Sequence, residues 1–260
     1  VEDSLSALKH EKNIILEGPP GTGKSFLAKK LAYAFLGERN RSRVEMIQFH
    51  QGYSYEDFIE GFRPVTNGGF SLRPGVFLRF CELASSDLES NYVFIIDEIN
   101  RGSLSKIFGE LLLLLESDKR GPNHFLRLAY SGAVFYVPEN VYVIGLMNSA
   151  DRSLTLVDYA LRRRFAFLKV EPQFDTAWVN HLTEKGIDKD FVLKIQEKML
   201  QLNQAISADR DLGEDFLIGH SFLSNPTTKE PIEWFKEVVR FKVAPLLFGL
   251  PHENRRVRKA

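Results

Sequence analysis

Gly18-Pro19-Pro20-Gly21-Thr22-Gly23-Lys24-Ser25 lies between an apolar, β-branched run, Asn13 to Glu17, and a stretch from Phe26 to Leu36 whose apolar residues recur at helical spacing until Gly37. A strand, a glycine-rich turn and a helix in that order make a phosphate-binding loop. The turn points backbone N–H groups inward, and the helix N-terminus adds partial positive charge. Lys24 is placed to reach the β- and γ-phosphates of a nucleotide, and Ser25 to put its hydroxyl on Mg²⁺. Gly18 to Ser25, with Phe26 at the start of the helix, are therefore the expected nucleotide-binding residues. A plain turn seldom satisfies G-x-x-x-x-G-K-[ST] between a strand and a helix.

Working outward, the rest of the chain suits a folded protein with a large core. It has 260 residues, 44% of them apolar, and its 34 basic and 34 acidic residues cancel. No global field points to nucleic acid or to a membrane, and the locally basic Arg255-Arg256-Val257-Arg258-Lys259 reads as a solvated tail. Cys81 is the only cysteine, which excludes an intramolecular disulfide and suits a reducing cytoplasm. The longest apolar run, Leu111 to Leu115, is far below the roughly 20 residues of a spanning helix, so a cytoplasmic protein without a membrane partner is expected. The chain opens almost directly on the first strand, as expected of one domain cut from a longer protein.

Tyr92 to Ile96 is a continuous apolar strand that delivers Asp97 and Glu98 at its carboxyl end, where ligands bind in open parallel sheets. Asp97 suits a Mg²⁺ ligand and Glu98 a general base that polarises the attacking water. Leu104 to Leu115 repeats at helical spacing. Between the phosphate loop and this strand, Arg43 to Phe49 reads as a second strand and Phe77 to Ala84 as a helix. The aromatic stretch from His50 to Gly75 reads as an insertion, whose Tyr53, Tyr55, Phe58, Phe62 and Phe70 either face a partner or nucleic acid or, as aromatics at this density more often do, staple it to its own domain. Ser131-Gly132 is the turn of a hairpin spanning about 125–138.

Val141 to Met147 is another apolar strand, and it ends on Asn148-Ser149-Ala150-Asp151-Arg152-Ser153, where Asn148 can hold the attacking water or the γ-phosphate. A helix-like stretch, Leu154 to Leu161, then leads to Arg162-Arg163-Arg164. Three successive arginines at a helix end suit a finger supplied to a neighbouring subunit. Ala166 to Val170 is the last strand, and the remainder is mostly helical, with His220 either approaching the nucleotide or buried. The fold class is α/β: a P-loop module over 1–171, with a parallel sheet flanked by helices, followed by a small helical lid over 172–260.

In this order the phosphate loop, the Asp97-Glu98 pair, Asn148 and the arginines resemble an AAA+ ATPase module. Phe94-Ile-Ile-Asp-Glu-Ile-Asn-Arg101, Met147-Asn-Ser-Ala-Asp-Arg-Ser153, Val157-Asp-Tyr-Ala-Leu-Arg-Arg-Arg-Phe165, Phe49 to Phe58 and Ile218-Gly-His-Ser-Phe222 resemble more closely the McrB family, the motor subunits of modified-cytosine restriction systems. The resemblance implies a ring, usually a hexamer, with GTP and Mg²⁺ at subunit interfaces. It also implies a McrC-like nuclease partner and DNA handled through the assembled complex, with methylated sites read by a separate domain. It makes 50–75 the helix-2 insert, Asn148 the first sensor, Asp151 and Arg152 part of a signature loop, and Arg163 or Arg164 the finger. The guanine preference rests on the resemblance alone, since Asn-Lys-x-Asp, the guanine-reading string of Ras-type GTPases, is absent. No arginine stands at Gly219-His220-Ser221, where many AAA+ lids offer one to the γ-phosphate. An ATP-dependent remodelling chaperone of the MoxR type and a nucleotide-gated assembly platform remain as alternatives.

Overall fold

The computed structural model describes residues 2–66, 68–151, 162–227 and 230–248. The expected helix at 154–161, Arg152 and the basic tail at 255–259 lie outside the described residues. The described residues form two compact units. One comprises those of 1–17, 25–147 and 152–168, and the other those of 18–24, 148–151 and 169–260. Contacts thus group the phosphate loop with the helical C-terminal part.

The first unit is built on a five-stranded sheet of β1 (Asn13–Gly18), β2 (Val44–Gln48), β5 (Tyr92–Asp97), β8 (Val141–Asn148) and β9 (Ala166–Lys169), in the order β2-β5-β8-β1-β9. β5 runs parallel to both β2 and β8, with Ile95 opposite Met46 on one side and Ile144 on the other. Val93 to Ile96 are fully buried, as a strand covered on both faces requires. Helices α2 (Lys24–Leu36) and α4 (Val76–Ser85) follow at the expected places, and α5 (Leu104–Phe108) starts where a helix is expected.

Local expectations are corrected around the sheet. A helix, α1 (Glu2–Glu11), precedes β1; only its Leu8 is buried, so its mostly polar sequence carries little periodic signal. The expected single helix from Leu104 to Leu115 stops at Phe108 and continues as a 3₁₀ helix over Gly109–Leu115. Gly109 adopts φ +52°, which interrupts α-helical geometry while leaving Leu111, Leu112, Leu114 and Leu115 buried.

The insert folds as a short helix, α3 (Tyr55–Phe58), and an antiparallel hairpin of β3 (Glu60–Pro64) and β4 (Phe70–Pro74). Phe58 is its anchor: it stacks on Phe77 at 4.9 Å and meets Phe49, Phe94 and Phe108 edge-on at 5.6, 5.8 and 4.6 Å. Tyr53 and Tyr55 also pack on this core, whereas Phe62 and Phe70, on the projecting hairpin, are 52% and 72% exposed and lie outside it, Phe62 meeting the Tyr130 ring edge-on at 5.9 Å. The second hairpin pairs β6 (Leu126–Arg127) with β7 (Val134–Phe135). The buried Glu60 carboxylate joins the two hairpins by accepting hydrogen bonds from Tyr130 N (3.1 Å), Ser131 N (2.9 Å) and Ser131 Oγ (3.0 Å).

In the second unit α6 (Thr176–Glu184) and α7 (Lys189–Ala208) are N-capped by the Asp175 and Asp188 carboxylates, each accepting a backbone N–H at 2.9 Å. The long helix expected from Ile232 to Leu247 is α8 (Pro231–Val238) and α9 (Ala244–Phe248), joined by one turn of π helix over Val239–Val243. Trp178, Leu182, Val192, Met199, Ile206 and Trp234 form the core of this unit. Among the described residues no helix is long and apolar enough to cross a membrane.

Phe58→Ala should destabilise the first unit by about 3–5 kcal/mol, while Phe70→Ala should stay within about 0.5 kcal/mol of the parent, read from denaturant titration.

Candidate functional site

In the first unit the end of β5 turns sharply to set three polar groups in line. Ser25 Oγ donates to Asp97 Oδ2 at 3.0 Å, and Asp97 Oδ1 accepts the Glu98 N–H at 3.0 Å. Glu98 occupies the left-handed region (φ 53°, ψ 44°), a conformation that costs a non-glycine residue about 1–3 kcal/mol and recurs where function requires a particular side-chain direction. Its carboxylate is held by Arg101, whose Nε donates to Oε2 at 3.0 Å. Asn100 Oδ1, one residue away in the chain, is buried without a hydrogen-bond partner. Asn100 and Arg101 belong to the stretch that carries the family resemblance, but the sequence assigns neither of them a role at the site. The Ser25 hydroxyl and Asp97 carboxylate are hard oxygen donors at a shared point. Mg²⁺ keeps several waters and phosphate oxygens among its ligands, so two protein donors are the number that suits it.

In the second unit the phosphate loop has its carbonyl oxygens engaged. Lys24 Nζ donates to Gly18 O (2.9 Å) and Pro19 O (3.0 Å), and Thr22 Oγ1 also donates to Pro19 O (3.0 Å). Ser149 N donates to Gly18 O at 3.1 Å, Gly219 N to Pro20 O at 3.1 Å and Ser221 N to Gly21 O at 2.8 Å. Gly21 and Gly23 take positive φ, 77° and 79°. Lys24 is buried over the loop's own carbonyls, so its ammonium must turn from them to meet a phosphate.

The other expected residues fall in several places. Asn148 and Asp151 are half-buried beside Ser149, whose hydroxyl donates to Asp215 O at 3.2 Å within the same unit. His220 is half-buried, and its Nδ1 accepts the Gln173 N–H at 3.0 Å. Burial lowers its pKa below the ordinary histidine value, against an opposing effect of the Asp175 charge. Phe26 is 69% exposed on α2, with the Lys30 ammonium 5.4 Å from its ring.

The arginines separate by environment. Arg164 turns inward, its Nη2 3.0 Å from Glu116 Oε1, and its carbonyl accepts from Asn13 Nδ2 at 2.9 Å. Arg120, buried beneath, donates to Asn13 Oδ1 at 2.7 Å; burial pushes its pKa down to about 10. Arg162 and Arg163 are exposed.

Residues 13–165 match the family described as AAA domain (dynein-related subfamily), and residues 194–254 match the McrB alpha-helical lid domain. The chain is 52% identical over 256 residues to the type IV methyl-directed restriction enzyme EcoKMcrB subunit of Escherichia coli K12, covering 95% of this chain and 55% of that protein. It is 26% identical over 273 residues to the type II restriction enzyme BsuMI component YdiS of Bacillus subtilis 168, covering 89% and 77% respectively. The chain therefore spans about half the length of the Escherichia coli relative.

Arg164→Ala should lower stability by about 1–3 kcal/mol, because Glu116 loses a shielded charged partner, whereas Arg163→Ala should leave the melting temperature unchanged. His220 binds its proton less readily folded than unfolded. Its contribution to stability is complete above the unfolded pKa of about 6.5 and declines as pH falls below it. Melting temperatures at pH 7.5 and 5.5 should differ more for the parent than for His220→Asn.

Proposed function

The chain belongs to the AAA domain family, in its dynein-related subfamily and with a McrB-type helical lid, and on that footing we propose that it is the GTP-hydrolysing ring motor of a methylation-dependent restriction enzyme. The observation that carries this reading is the Ser25–Asp97–Glu98 line, in a chain 52% identical to a methyl-directed restriction subunit.

The loop N–H groups and Lys24 bind the β- and γ-phosphates, with the helix α2 N-terminus contributing partial positive charge. Ser25 and Asp97 would hold Mg²⁺, which would supply positive charge against the phosphate oxygens. Glu98, steered by its left-handed backbone and by Arg101, accepts a proton from the attacking water, and Asn148 orients that water or the γ-phosphate. Asp151 and Arg152 belong to the same signature loop, and His220 and Phe26 are further nucleotide contacts. Arg163 is the better finger of the two arginines, because its side chain is exposed for a neighbouring subunit while Arg164 is paired to Glu116. Hydrolysis at subunit interfaces of a hexamer would then drive DNA past a McrC-like nuclease subunit in the cytoplasm. In this reading the core runs over 1–171 and the lid over 172–260.

Steady-state turnover of GTP and ATP, with and without the nuclease subunit, tests the assignment. GTP preference and stimulation by the nuclease are expected; ATP preference would instead favour a remodelling chaperone. Glu98→Gln should slow turnover by about 10² to 10⁴ with nucleotide still bound. Arg163→Ala should slow it by about 10³ to 10⁵, and a monomer hydrolysing at full rate would sink the shared-site mechanism.

A further inference from the structure

Taking Gly18–Ser25 as the polyphosphate cradle, we propose that Gly219–Phe222 is a positioning element for it, with Gly219 and Phe222 the residues on which nucleotide affinity depends. A loop that aims N–H groups at an anion turns its carbonyls away, and those carbonyls need donors of their own. Gly18 and Pro19 draw theirs from Lys24, Thr22 and Ser149. Pro20 and Gly21, in the middle of the loop, draw theirs from the backbone N–H groups of Gly219 (3.1 Å) and Ser221 (2.8 Å).

Steric fit makes this pairing specific. A Cβ on Gly219 would lie 1.9 Å from Gly21 C and 2.3 Å from Thr22 N, so only glycine allows the two backbones to meet. On the other side the Phe222 ring covers Gly21: a Cβ there would lie 2.2 Å from Phe222 Cε2. The segment is itself fixed from beneath by α7, where buried Asn203 donates from Nδ2 to Ile218 O at 3.0 Å and accepts the Ile218 N–H on Oδ1 at 2.8 Å. A rigid helix thus holds one residue, and the next four hold the loop in the shape a polyphosphate accepts.

The test is made on the full chain, with fluorescent GDP as the probe and hydrogen exchange as the second readout. Phe222→Ala should weaken GDP binding about tenfold, the size of one net hydrogen bond, and speed amide exchange at 20–24 while leaving exchange along α7 unchanged. Phe222→Leu, which keeps most of the cover, should recover most of the affinity. Gly219→Ala should weaken binding further, because the loop must move from the new Cβ. Across a titration of GTP the Phe222→Ala enzyme should show a raised KM with kcat little changed. Unchanged affinity and loop exchange in both variants would overturn the proposal. So would a Phe222→Ala loss of affinity accompanied by equal loss of protection along α7, since the ring would then be lid packing alone. Lys24→Ala separates this from the parent reading: if it binds GDP normally, Gly18–Ser25 is no phosphate cradle at all.

Discussion

The constraint on which the site depends is electrostatic and local. A loop cannot show N–H groups to a polyphosphate without sending its carbonyl oxygens elsewhere, and a shielded carbonyl without a donor costs about 1–3 kcal/mol. In this chain five groups answer that need: the Lys24 ammonium, the Thr22 hydroxyl and the N–H groups of Ser149, Gly219 and Ser221. Three of the five come from residues more than a hundred positions away. That is why contacts group Gly18–Lys24 with the C-terminal helices, although the chain order attaches the loop to β1 and α2.

Within the first unit a comparable economy governs the acids. β5 is buried up to Ile96, so Asp97 and Glu98 stand where the apolar strand ends. If Glu98 kept an extended backbone, its side chain would follow the strand's alternation. The left-handed turn breaks that alternation and lets its N–H return to Asp97, while Arg101 grips its carboxylate from three residues on. The backbone cost is met by a sheet whose strand on either side is held in parallel register.

The arginine stretch shows how burial can separate identical residues. Asn13, fully buried at the start of β1, ties Leu115 O and Arg164 O together and accepts from Arg120, so the Arg164 backbone is held to the start of β1 through one amide. With its carbonyl so fixed, Arg164 reaches Glu116, and the exposed Arg163 is left to face outward.

The glycine turn between β1 and α2, the strand that delivers Asp97, the hairpin around Ser131 and the helical C-terminal part were legible in the sequence because each depends on short-range chemistry. Glycine tolerates positive φ, β-branched runs suit buried strands, and apolar spacing repeats with the helix. The left-handed turn at Glu98, the break at Gly109 and the inward course of Arg164 were not legible, since each is decided by neighbours distant in sequence. The sequence by itself determined which polar residues stand in the glycine turn after β1 and at the carboxyl ends of β5 and β8. The tertiary structure decided which of them are held in place, as in Gly219 and Phe222 against Gly21, because close approach of two backbones depends on three-dimensional packing that no linear spacing encodes.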